Sequence, residues 1–212
     1  MSTKQHYQIA IVGSSGKGKT DAARNLNRET TAFINVENKP LPFKGDFKFH
    51  SRPQTVVAIR EEMIKAGQNK EVTVIVIDSF SAVIDIILKE ARKNYKGFDI
   101  WNFYNDEIAK FLDLLKQLPK DVFMTAHYEI LGIEGAMEKR IKVKGKEIEG
   151  VVEKDFTIVL FADSKNTDKG PVYFFETYKE GTSAKSPREL FPTTKIDNDY
   201  AMIVKALDEF RK

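Results

Sequence analysis

The chain has 212 residues, 42% of them hydrophobic and none of them cysteine, so it can bury a sizeable core and forms neither disulfides nor thiolate metal sites. Its three histidines stand far apart in sequence, which argues against a structural zinc site, and no apolar run approaches the length of a membrane span. A formal net charge of +3 is too small to identify a nucleic-acid partner, so the placement of charge says more than its sum.

The polar opening Met1-Ser2-Thr3-Lys4-Gln5-His6 has no secretory pattern and points to a cytoplasmic protein. The apolar run Ile9-Ala10-Ile11-Val12 then reads as a buried strand over Gln8–Val12. It leads into Gly13-Ser14-Ser15-Gly16-Lys17-Gly18-Lys19-Thr20, which fits the phosphate-binding pattern G-x-x-x-x-G-K-[ST] without a mismatch. The following Asp21-Ala22-Ala23-Arg24-Asn25-Leu26 reads as a helix. Strand, glycine-rich turn and helix N-terminus together make an anion site, because backbone N–H groups converge on phosphate oxygens and the helix dipole adds positive potential. Lys19 would bridge the β- and γ-phosphates of a nucleotide, and Thr20 would place its hydroxyl on magnesium.

A second strand over Thr31–Val36 ends at Glu37. A carboxylate there either orients water against a γ-phosphate or is a solvated loop residue. Ser51-Arg52-Pro53-Gln54 reads as a capping box, with Pro53 in the first turn of a helix whose Val56, Ile59 and Met63 share a face. The β-branched run Val72–Ile77 predicts a third strand, beside the P-loop strand. Asp78 at its tip either holds magnesium or caps the next helix. Phe80, Val83, Ile84, Ile87, Leu88 and Ala91 form one helical stripe, and Tyr104, Ile108, Phe111, Leu115 and Leu118 form another. A fourth strand, Val122–Ala126, ends at His127, which either faces the ligand crevice of an open α/β sheet or merely closes the strand. No long helix is marked from Tyr128 to Gly150. Thr157–Phe161 and Val172–Glu176 follow each other closely and predict an antiparallel hairpin at the sheet edge. Tyr200, Ile203, Val204 and Leu207 mark a closing helix. This alternation predicts one α/β domain over residues 1–212, with a mostly parallel central sheet and helices on both faces.

Lys139, Arg140, Lys142, Lys144 and Lys146 place five cations within eight residues. In an extended strand Lys142, Lys144 and Lys146 would share a face, and such a row tracks nucleic-acid phosphates. Tyr95, Lys96, Phe98, Trp101, Phe103 and Tyr104 mix rings with charge, and rings stack bases at roughly 1–3 kcal/mol each. The competing reading is a lysine-bearing edge strand that deters aggregation, with Glu147, Glu149 and Glu153 diluting the field and Tyr104 packing in the core.

The order of P-loop, strand ending in Glu37, strand ending in Asp78-Ser79 and Phe123-Met124-Thr125-Ala126-His127-Tyr128-Glu129 resembles the RecA-like ATPase core, a three-layer P-loop NTPase fold. It looks most like the small phage-encoded RecA-core proteins that work with single-strand annealing proteins in recombination. Ser183-Ala184-Lys185-Ser186-Pro187-Arg188 adds to the likeness, which covers nearly the whole chain. The resemblance implies ATP and Mg2+ as the bound groups. By position, Glu37 matches the water-activating glutamate, Asp78 the magnesium-associated aspartate and His127 the polar γ-phosphate sensor. The loop after His127 matches a DNA-binding loop, with Tyr95–Asp99 near another. Lys185 and Arg188 match cations that reach the ATP of a neighbouring subunit, which implies a homo-oligomer. The implied function is an ATPase of phage recombination that couples nucleotide state to single-stranded DNA. Its implied partners are single-stranded DNA and a single-strand annealing or single-strand binding protein. The alternatives are a small-molecule kinase, for which few lid arginines are present, and a nucleotide-gated loader that turns ATP over little.

Overall fold

The structure, a computed structural model, describes residues 5–133 and 135–212. Its centre is built by strands that are apolar on both sides. β1 (Gln8–Val12), β2 (Thr31–Asn35), the short β3 (Phe49–Ser51), β4 (Val74–Asp78) and β5 (Asp121–Ala126) run parallel to one another. All of them except β3 are buried at every position, which is why their sequences lack a polar alternation. β6 (Tyr128–Ile133) and β7 (Ala136–Ile141) form a separate antiparallel hairpin. β8 (Ile158–Thr167) pairs parallel with β1 through Phe161, then antiparallel with β9 (Gly170–Glu176), which in turn pairs with β10 (Lys195–Asp197). Among the described residues the large sheet has the order β10-β9-β8-β1-β5-β4-β2-β3.

Side-chain alternation divides the core into two layers. Ala10, Val12, Ile75, Ile77 and Met124 face α1 (Val56–Gln68), α2 (Phe80–Asn94) and α3 (Asp99–Gln117). Ile9, Ile11, Val76 and Phe123 face the other way, onto the short 3-10 helix Asp21–Asn25 and α4 (Tyr200–Phe210). There the Tyr200 ring stacks on Phe123 with centroids 4.4 Å apart. No helix among the described residues is long and apolar enough to cross a membrane.

Several local expectations are corrected. The segment after the P-loop is a five-residue 3-10 helix, not an α-helix, and Thr20 makes no capping hydrogen bond to it. Only ten residues separate Thr20 from Thr31, too few for a longer helix and its return. Arg24 and Asn25 instead tie to the start of α4, donating to Asn198 O at 2.9 Å and Asp199 Oδ2 at 2.7 Å. A macrodipole therefore contributes little to the anion site. The capping box at Ser51 is not used: Ser51 ends β3, and α1 is capped by Thr55, which accepts from Ala58 N at 3.2 Å. Pro53 disfavours helical backbone at Arg52, so the helix starts beyond it. β4 does not lie beside the P-loop strand, because β5 stands between them. The edge hairpin forms as predicted, with β8 running on to Thr167 and β10 added outside it. Finally, β7 stops at Ile141, so Lys142, Lys144 and Lys146 share no strand face. Lys142 N still donates to His127 O at 2.8 Å, but beyond it Val143 N donates to Glu129 Oε1 at 3.0 Å and Lys144 N to Tyr104 Oη at 3.1 Å, so side chains hold the segment from Val143 on.

Candidate nucleotide site

β1 delivers the chain to Gly13, whose N–H still donates to Ala126 O on β5 at 3.1 Å. A Cβ at Gly13 would stand 2.8 Å from Ala162 O, so β8 packs where only glycine fits. Gly18 has φ +76°, and a Cβ there would meet Asn198 Oδ1 at 3.0 Å and Tyr173 Cδ1 at 3.1 Å. The loop is pinned on several sides. Lys17 Nζ lies 2.8 Å from Asp163 Oδ1 and donates to Ser164 Oγ at 3.0 Å. Ser14 Oγ donates to Tyr128 Oη at 3.1 Å, and Tyr200 Oη donates to Lys19 O at 2.6 Å. Lys19 folds back over the loop, donating to Gly13 O at 2.8 Å and Ser14 O at 2.9 Å. Burial holds its ammonium below the ordinary lysine value, against the opposing pull of the Asp78 and Glu37 charges.

Ser15 to Asp21 line a cavity of about 450 Å³ together with Glu37, Asp78 and His127. Asp78, only 6% exposed, accepts from Thr20 Oγ1 at 3.0 Å and from Thr125 Oγ1 on β5 in a shorter contact. Burial pushes the Asp78 carboxyl up, and the two hydroxyls pull it back only in part. A hydroxyl and a carboxylate of hard oxygen, side by side in a phosphate cavity, fit magnesium.

Glu37 sits on the adjacent strand end. Its N–H donates to Asp78 O at 3.0 Å. Its carboxylate accepts from Ser79 Oγ at 2.8 Å and from Lys39 Nζ at 2.5 Å. Burial alone would raise this carboxyl, but the hydrogen bonds from Lys39 and Ser79, with the Lys39 charge, outweigh it and hold Glu37 below the usual range. His127 N donates to Ser81 Oγ at 3.2 Å, and its Nδ1 lies 3.2 Å from Gly13 O. A carbonyl only accepts, so Nδ1 carries the proton, leaving Nε2 bare in the neutral ring. Burial and the Lys19 charge hold His127 below the ordinary histidine value, so the ring is neutral at neutral pH.

One cavity thus gathers the P-loop, Glu37, Asp78 and His127. Lys142 and Lys144 line an adjoining cavity of about 410 Å³ that shares Ser15 and His127. The remaining cations lie apart. Lys139 Nζ stands over the Tyr128 ring at 4.8 Å, Arg140 pairs with Glu138 at 2.7 Å, and Lys146 is exposed. Lys185 and Arg188 are exposed and line no part of the phosphate cavity of their own chain. Sequence reasoning missed Thr125, Ser79, Lys39 and Tyr173. Thr125 had a signal, a hydroxyl inside an otherwise apolar buried strand beside a P-loop strand. Ser79 and Lys39 stand beside Asp78 and Glu37 in sequence with nothing there to mark their bonds to the Glu37 carboxylate, and Tyr173 is brought in only by the fold.

Residues 5–191 match the profile of a family described as AAA domain. Among solved structures, the chain is similar to a KaiC-like protein from the hyperthermophilic archaeon Pyrococcus horikoshii OT3, at 14% identity and a TM-score of 0.50 over 90% of this chain and 88% of that one. It is similar also to the RadB recombinase, at 13% identity and a TM-score of 0.50 over 84% of each chain. At such identities the likeness concerns the fold, which is RecA-like: a mostly parallel sheet with helices on both faces and an antiparallel edge. No curated protein matches the chain.

Proposed function

The chain belongs to the AAA domain family, and from that premise we propose that it binds and hydrolyses ATP with magnesium and couples the nucleotide state to single-stranded DNA. The observation that carries the reading is the single cavity in which Lys19, the Thr20–Asp78 pair and Glu37 meet. On entry of a triphosphate, Lys19 exchanges the carbonyls of Gly13 and Ser14 for phosphate oxygens. Amides of the loop take the remaining oxygens, as phosphates require. Thr20 and Asp78 would hold magnesium, which would offset phosphate charge. Glu37, ionised and fixed by Ser79 and Lys39, accepts a hydrogen bond from the attacking water and aligns it. His127 gains a donor toward phosphate only by taking up a proton at Nε2, since Nδ1–H is engaged by Gly13 O.

In this reading Lys185 and Arg188 act on the nucleotide of a neighbouring copy, and a cation supplied in trans is worth about 10³–10⁵ in rate. Lys139, Arg140, Lys142, Lys144 and Lys146 take the DNA backbone, and the setting is recombination of the kind phages run with single-strand annealing proteins in the host cytoplasm. We expect Glu37→Gln to retain ATP affinity and lose about 10²–10⁴ in turnover, whereas Lys19→Ala loses both. Equal hydrolysis by Glu37→Gln and the parent removes Glu37 from the mechanism. Turnover measured across protein concentration, with and without a single-stranded oligonucleotide, tests the coupling. Rates indifferent to DNA count against it, and rates per molecule indifferent to concentration count against the trans cation.

A further inference from the structure

A second cleft opens beyond the phosphate cavity, about 240 Å³ in volume, and the two share Asp21 and Tyr173. The phosphate cavity holds Glu37 and His127, the groups suited to the γ-phosphate, and it meets this cleft through Asp21 and Tyr173, so a nucleoside extending from it reaches Tyr173. The cleft does not suit a second anion, because Asp21, Asp197 and Asp199 all line it. It suits a neutral ring that carries hydrogen-bond donors. Asn198 lines it too, and Arg24 anchors its backbone by donating to Asn198 O at 2.9 Å. Asn198 is 4% exposed, yet neither its Oδ1 nor its Nδ2 has a hydrogen-bond partner. A buried carboxamide with both groups unmet is costly to keep, so its presence calls for a partner that arrives later. Its carboxamide and the Tyr173 ring both abut Gly18, and the Tyr173 ring is partly open to solvent, at 37% exposure.

Resting on the ATP reading above, we infer that Tyr173 and Asn198 form the base subsite: the Tyr173 ring stacks on the purine, and the Asn198 carboxamide reads its edge. A carboxamide offers one donor and one acceptor. Adenine presents the matching pair, the N6 amino group and N7, whereas guanine presents two acceptors, O6 and N7, and leaves the carboxamide oxygen unmet. The subsite therefore selects adenine over guanine.

Binding of magnesium-loaded ATP, GTP and tripolyphosphate to the parent, Tyr173→Ala and Asn198→Ala tests this by calorimetry, with circular dichroism confirming the fold of each. The parent should prefer ATP to GTP by about tenfold or more. Tyr173→Ala should weaken both nucleotides by about tenfold and leave tripolyphosphate unchanged. Asn198→Ala should remove the ATP preference and likewise leave tripolyphosphate unchanged. An ATP-to-GTP ratio untouched by Asn198→Ala, or equal losses for tripolyphosphate, overturns the inference, because Asn198 would then serve only to pack the loop at Gly18. The Tyr173→Ala arm alters a partly exposed ring and decides the stacking half if Asn198→Ala misfolds. A parent that binds none of the three ligands removes the nucleotide reading and the inference with it; one that binds tripolyphosphate without telling ATP from GTP removes only the inference.

Discussion

Asp78 and Glu37 stand one hydrogen bond apart along the backbone, yet their environments push them in opposite directions. Burial raises Asp78, so its folded pKa lies above its unfolded one. Ionised Asp78 therefore costs stability at neutral pH, and that cost disappears as pH falls and the carboxyl takes up its proton. Glu37, held low by Lys39 and Ser79, does the reverse: it contributes stability at neutral pH that is lost as pH falls through its folded pKa. A site kept at the expense of stability is common where function needs a charge. We expect Asp78→Asn, which keeps the shape and removes the charge, to melt higher than the parent at about pH 7 in the absence of nucleotide. The gap should narrow toward about pH 4, where the parent's carboxyl approaches neutrality. Magnesium-dependent nucleotide binding should be lost. Calorimetric scans at the two pH values check the sign, and a variant that melts below the parent at neutral pH refutes the assignment.

At the level of elements, the start of α2 couples a helix cap to the site. Ser79 Oγ accepts from Ala82 N at 3.3 Å and donates to Glu37 Oε1 at 2.8 Å. Ser79→Ala should cost about 1 kcal/mol in denaturant unfolding, as loss of an N-cap does. It should also raise the Glu37 carboxyl, moving the acid limb of the turnover profile to higher pH, while Ser79→Thr restores both. A stability loss with an unmoved acid limb would separate the cap from the chemistry. Such coupling was not legible in the sequence, where Ser79 stands 42 residues from Glu37. What was legible rests on strong local physics: β1, β4 and β5 are continuous apolar runs buried on both faces, and the stripes of α2 and α3 repeat at helical spacing. The P-loop declared itself because its chemistry is local. The failures have other causes. The 3-10 helix after Thr20 and the end of β7 at Ile141 answer to contacts far along the chain, Asn198 and Asp199 in the first case and Glu129 and Tyr104 in the second, whereas the delayed start of α1 is a local effect of Pro53 and the Thr55 cap. Asn198 left no trace in sequence, because an asparagine before a helix reads as turn chemistry until the fold buries it under Gly18.

For the whole molecule, the weight of charge lies in its placement. With a net charge of +3, the long-range field is weak, so capture of a polyanion depends on clustered cations. Lys142, Lys144 and Lys146 follow the hairpin β6–β7, and their segment is anchored to α3 through Tyr104 and to the strand after His127 through Glu129. Lys142 and Lys144 border a cavity that shares His127 with the phosphate cavity, so a shift of the His127 ring on protonation reaches the backbone of this segment within one side chain, and Lys142 N already donates to His127 O at 2.8 Å. On the proposed reading, this contact is where nucleotide state meets DNA. Single-stranded DNA affinity should then fall with salt, each phosphate contact contributing about 0.7 to the slope of log affinity against log salt. Replacing Lys142, Lys144 and Lys146 together by alanine should reduce that slope by about 2. The nucleotide dependence should vanish with it, because the side chains through which this segment takes the DNA are gone while its backbone bond to His127 remains. Fluorescence anisotropy of a labelled oligonucleotide, titrated at several salt concentrations with and without ATP, measures both quantities. A slope unchanged in the triple variant would place the DNA elsewhere on the molecule, and a reduced slope with intact nucleotide dependence would keep the contact but sever it from His127.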